Sequence, residues 1–176
     1  MWSWFTFWLL LHIMTAIAAF GPNFAFPLIA RFAQKEPRHA LVVSEIMHAI
    51  ESKITVPAAV VMPFLGLALI YTGHIDLWQS EWLIIAIVLY IVTFFFAVLV
   101  QLPNSVKMID LLKGMPAPGP AGPGAEGTPP IAGAQGPPPE VAALGRKLQM
   151  GGMLLTILLT AIIVLMVWKP GMAFTG

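Results

Sequence analysis

Apolar residues along the chain gather into four long runs, and the polar stretches between them differ sharply in character. The first run extends from Trp2 to Ala30, interrupted by Gly21-Pro22-Asn23 and by Pro27. The second covers Ile54 to Gly73, after a more polar helical lead-in that starts at Ala40. The third is Trp82 to Leu102 and the fourth Leu148 to Trp168. A helix needs about 20 apolar residues to cross about 30 Å of hydrocarbon, so each run predicts a membrane span. Strands of about ten residues with alternating polarity are missing from the pattern, which argues against a β-barrel. The first run has no basic segment ahead of it and exceeds an ordinary signal core, so it reads as a retained span. The expected fold is an all-α, four-helix transmembrane bundle.

Between the third and fourth runs lies Gly114 to Glu140, where 16 of 27 residues are proline or glycine. Gly119 and Gly122 share a three-residue register that Gly124 and Gly127 break, which excludes collagen. An extended linker is expected instead. The chain therefore divides into a three-helix part (1–113), a linker (114–140) and a fourth helix with a tail (141–176).

Basic residues set the expected orientation. Arg31, Lys35, Arg38 and Lys53 fall between the first two spans, and Lys107, Lys113, Arg146 and Lys147 between the last two. Only Lys169 lies on the other side, which places both termini outside and the linker in the cytoplasm. Trp2, Trp4, Trp8, Trp78, Trp82 and Trp168 all map to the outer ends of spans, where tryptophan favours the lipid interface.

Composition agrees: 59% of the 176 residues are apolar and 10% charged, with a mean hydropathy of +0.86. A soluble domain carries about 25% charged residues, so this one belongs in lipid. The net charge of +1 gives no bias toward nucleic acid. No cysteine is present, which rules out iron–sulfur clusters, covalent c-type haem and thiolate chemistry. Nothing resembles a phosphate-binding loop, a dinucleotide fingerprint or a hydrolase elbow.

Few residues remain that carry chemistry. His12 is ionisable within the first span, and such groups are functional candidates in a bilayer. It reads as a haem or metal ligand, a proton-transfer group, or a plain hydrogen-bond bridge between helices. Its depth depends on register. The 29 residues from Trp2 to Ala30 would rise about 43 Å, putting His12 near mid-membrane or, in the other register, close to His74. In the second helix Ser44, Glu45, His48, Glu51, Ser52 and Thr55 share a sector about 120° wide. Glu45, His48 and Glu51 are weak metal candidates there, and the same face suits a cofactor edge, proton entry or simple wetting beyond the lipid. A di-iron site would need a second Glu-x-x-His, which the chain lacks. His12 and His48 are expected too far apart in height to clamp one haem. Pro57 and Pro63 should bend the second helix and free backbone carbonyls. Gly152, Thr156 and Thr160 form a small-residue ridge suited to helix packing.

From Thr55 onward the chain resembles a family of small bacterial integral-membrane proteins known as a domain of unknown function. The similar elements are Thr55-x-Pro57-Ala58-x-Val60-Val61-x-Pro63, Gly66-Leu67-Ala68-Leu69, Trp82-Leu83, Leu89-Tyr90, Gln101 and Lys107-Met108. His12 after Leu10-Leu11 matches that family's opening, and the likeness covers about the first 115 residues. The chain departs at Met62, where the family implies glutamine, at Pro22 and in the Pro/Gly loop. The layout is also distantly similar to four-helix membrane proteins that handle copper or haem, including a haem-dependent protoporphyrinogen oxidase. That similarity implies a haem or metal role for His12. The expected function is a non-catalytic accessory or scaffold subunit of a larger complex in a bacterial inner membrane, of the electron-transport or photosynthetic kind. A haem- or metal-binding membrane protein is the alternative and a small transporter the third reading. Lipid and other membrane subunits are the expected partners.

Overall fold

Two prolines fail to stop the first helix. In the computed structural model, which describes residues 3–35, 39–115 and 138–168, α1 runs unbroken from Trp4–Lys35 through Pro22 and Pro27. Asn23, beside Pro22, turns its side-chain amide back to donate to the Ala19 carbonyl at 3.2 Å. That bond satisfies a polar group within its own helix, as an apolar setting demands.

The second and third spans each contain a wide turn, and a proline explains both. The second is built from α2 (Ala40–Ile50), a π-helical turn (Glu51–Thr55) and α3 (Val56–Thr72). The third is built from α4 (Glu81–Phe96), a π-helical turn (Ala97–Gln101) and α5 (Leu102–Lys113). Val56 donates to the Glu51 carbonyl and Leu102 to the Ala97 carbonyl, five residues back in each case. Pro57 and Pro103 follow one residue later. A proline ring collides with the carbonyl four residues before it and offers it no N–H; widening the preceding turn moves that carbonyl away. The fourth span, α6 (Pro139–Trp168), opens on a proline, which the first helical position tolerates.

All four helices are long and apolar enough to cross a membrane, over Trp4–Ala33, Ala40–Thr72, Glu81–Lys113 and Pro139–Trp168. No strand occurs among the described residues. The helices overrun the apolar runs because the flanking segments, such as 40–53 and 104–113, hold no proline or glycine. Most of the linker, residues 116–137, lies outside the described residues, as do Trp2, Arg38 and the tail from Lys169.

The spans form a ring. α1 packs on α3, α2 on α5, α4 and α5 on α6, and α6 closes back onto α1. Ala19 and Phe20 of α1, Met62 of α3, and Leu159 and Ile162 of α6 make the buried centre. Outside it, large apolar side chains such as Leu28, Phe64, Leu99 and Ile157 are exposed, as lipid contact requires.

Two expectations change in detail. Trp82 is buried in the bundle, at 6% exposure, while Trp4, Trp78 and Trp168 are the exposed rings of that end. The buried stripe of α6 is Leu144, Gly151, Leu155, Leu159 and Ile162, one residue out of register with the Gly152, Thr156 and Thr160 ridge. Thr156 bonds the Gly152 carbonyl and Thr160 bonds the Thr156 carbonyl, so both hydroxyls are met inside their own helix. Small size alone does not mark the packing face, because a back-bonded threonine also suits lipid.

The turn after α3 fixes the far end of the ring. Ile75 donates to the Ile70 carbonyl at 3.1 Å and His74 to the Tyr71 carbonyl at 3.4 Å, the paired bonds of a Schellman cap. His74 takes the left-handed position (φ 48°) that glycine usually fills. Gly73 stands before it where a Cβ would come within 2.8 Å of both the Leu69 carbonyl and the Phe5 ring.

Candidate functional site

The polar face predicted on the second helix meets the third span. Ser105, one turn into α5, is the hub. Its hydroxyl lies 3.1 Å from His48 Nδ1, 3.1 Å from Glu51 Oε2 and 2.8 Å from the Leu102 carbonyl. Ser52 donates to the His48 carbonyl at 2.7 Å, tying the face to the start of the π turn. Toward the end of α5, Lys113 pairs with Glu45 at 3.0 Å, both largely exposed. Exposed pairs of this kind add little stability, about 0–1 kcal/mol. A groove of about 290 Å³ opens here between Glu45, His48, Val106, Ile109, Asp110 and Lys113.

This arrangement divides the three metal candidates. His48 and Glu51 turn to Ser105, and Glu45 turns to Lys113. Among the described residues no three of His, Asp or Glu converge as a metal ion requires. Nor is this a hydrolytic triad. There the imidazole stands between carboxylate and hydroxyl, whereas here the hydroxyl stands between imidazole and carboxylate.

His12 sits elsewhere. A Cβ on Gly66 of α3 would lie 3.6 Å from its Cε1, so the imidazole rests against a bare stretch of helix. Its Nδ1 is enclosed and without a hydrogen-bond partner among the described residues. Phe5, seven residues earlier, is what faces Gly73, so His12 lies about 10 Å below that end of the bundle and away from His74. His48 is 18 residues before Gly66 along the same span, about 27 Å of helix rise. The two histidines cannot share one haem within a chain.

Two further interhelical bonds escaped the sequence reading. Tyr90 of α4 donates its hydroxyl to the Ala59 carbonyl of α3. That carbonyl lies four residues before Pro63, so the proline deprives it of an N–H and the tyrosine replaces the lost donor. Gln101, closing the second π turn, donates to the Leu148 carbonyl of α6 at 3.0 Å. Pro63 signalled a free carbonyl, but which helix would answer it was not written locally. Ser105 carried no signal beyond its place on an otherwise ordinary helix.

Residues 6–120 match a family described as predicted integral membrane protein (DUF2269). The chain belongs to this family. The DUF2269 match takes in α1 to α5, and with them His12, Tyr90 and the cluster around Ser105. α6 lies beyond it. No curated protein and no solved structure matches the chain. Neither comparison supplies a match to copper- or haem-handling proteins.

Proposed function

We propose that this protein is a non-catalytic accessory or scaffold subunit of a larger assembly in a bacterial inner membrane, of the electron-transport or photosynthetic kind. One observation carries the reading: three polar side chains of the spans hold helices to one another. Tyr90 ties α4 to α3, Gln101 ties the third span to α6, and Ser105 ties α5 to α2. Interhelical bonds of this type contribute about 1 kcal/mol each in a membrane and fix the register of the helices. The broad apolar exterior is then available to lipid and to neighbouring subunits.

A haem- or metal-binding role is the second reading, favoured by the enclosed, unpartnered Nδ1 of His12 beside Gly66. The two separate cleanly. Extracted from its native membrane in mild detergent, the accessory subunit should co-purify with defined partner subunits and show no visible absorption band. His12→Gln should keep that assembly, and His12→Leu should weaken it modestly. A Soret band that disappears in His12→Gln, with the protein still inserted, would overturn the accessory reading and establish the second.

A further inference from the structure

Three contacts surround the Ser105 oxygen, and a hydroxyl has one hydrogen to give. The Leu102 carbonyl only accepts. If Ser105 donates to it, Glu51 must itself carry a proton to bond Ser105, and His48 must present Nδ1–H. If Glu51 is ionised, Ser105 donates to it instead, and the Leu102 bond is given up. The geometry thus holds two hydrogen-bond patterns that differ by one proton on Glu51. It also provides the route between them, because His48 lines the groove and Glu51 does not.

We propose that Glu51 is a proton-binding site inside the bundle, loaded from the α2–α5 groove through His48 and Ser105. A hydronium ion reaching the groove gives its proton to His48 at Nε2 and is left as water. Nδ1–H then passes to the Ser105 oxygen as the Ser105 hydrogen passes to Glu51 Oε2. His48 is left neutral with its proton on Nε2, Ser105 remains a hydroxyl, and Glu51 becomes a carboxylic acid. Ser105 then donates to the bare Nδ1, and its hydrogen turns to the Leu102 carbonyl once His48 has exchanged through groove water to the Nδ1–H form. Release runs the same steps backwards, so no proton is gained or lost along the way.

The charges around the site leave this route intact. Glu45, Asp110 and Lys113 flank the groove, and Lys53 shares the π turn with Glu51; all four are exposed. From the helices packed alongside, Arg31 and Lys35 of α1, Lys107 of α5, and Arg146 and Lys147 of α6 are exposed as well. They face water or headgroups, whereas His48 and Glu51 are half-buried and joined through one oxygen. The site operates the same way whether the protein acts alone or within an assembly.

Infrared difference spectroscopy of the full chain in lipid nanodiscs, stepped in pH, tests this. A carboxylic C=O band should appear and vanish with pH and be missing in Glu51→Gln. After a pH step that band should respond about a hundredfold more slowly in Ser105→Ala, as loss of a positioned proton-transfer group predicts. Ser105→Thr keeps the hydroxyl and should respond at the wild-type rate. Should Ser105→Ala fail to insert, His48→Leu supplies the same slow arm from the groove side. A band that survives Glu51→Gln, no band in the wild type, or an unslowed response without the Ser105 hydroxyl or the His48 imidazole would each overturn the proposal.

Discussion

Gly151 shows how much a single missing side chain decides. A Cβ at that position would collide with Gln101 Oε1. Gln101 is flexible and would move, but moving it breaks its bond to the Leu148 carbonyl. Gly151→Ala should therefore forfeit about 1 kcal/mol, the worth of one such bond, which cancels most of what alanine gains over glycine in a helix. In a Gln101→Ala background the same change should stabilise, since Gln101 is gone and alanine favours the helix. Melting curves of the two singles and the double measure this coupling. Equal effects of Gly151→Ala in both backgrounds would show that the clash is relieved some other way. Gly152, the glycine singled out by the sequence, has Gln101 at 3.8 Å, an ordinary contact, and should accept alanine.

Elements here are joined where prolines have loosened them. Pro63 strips the Ala59 carbonyl of its N–H, and Tyr90 answers from α4. Removing the tyrosine hydroxyl leaves that carbonyl without a donor, so Tyr90→Phe should destabilise the bundle by about 1–2 kcal/mol. Pro63→Ala gives the carbonyl back an N–H from its own helix. Tyr90→Phe should then be nearly silent in a Pro63→Ala background, and a double-mutant cycle read by thermal melting checks it. Additive losses would mean the proline and the tyrosine act independently. The π turns before Pro57 and Pro103 follow the same logic with a different remedy. There the helix widens, and the α2–α5 polar cluster is built directly beside both wide turns.

At the scale of the whole molecule the basic residues bear on which end faces the cytoplasm. Among the described residues, Arg31, Lys35, Lys53, Lys107, Lys113, Arg146 and Lys147 all sit on the half of the bundle opposite the Schellman turn at His74. Positive charge beside short loops remains cytoplasmic, so that half should face inward. A protease site inserted near Gly127 should be cut only after the cytoplasmic face is exposed, as in inverted vesicles. Cleavage from outside intact cells would reverse the orientation and, with it, the side from which the Ser105 cluster takes protons.

The membrane spans, their number and their helical nature were legible in the sequence, because burial in lipid needs only a sufficient run of apolar residues and depends on no partner. The Glu45, His48 and Glu51 face was legible for a similar reason: a helix fixes its own side-chain spacing through i, i+3 and i+4 geometry. Their chemistry was not. A span tells nothing of its neighbour, so Ser105 entering between His48 and Glu51, Lys113 drawing Glu45 away, and Tyr90 meeting the carbonyl that Pro63 freed were all settled by the tertiary structure. The same holds for α6, where apolar periodicity is nearly uniform and only contact with Gln101 and Phe96 distinguishes Gly151 from Gly152. In lipid the hydrophobic effect no longer separates inside from outside of the bundle. Local sequence therefore sets the helices, while close packing and the pairing of polar groups decide which faces meet.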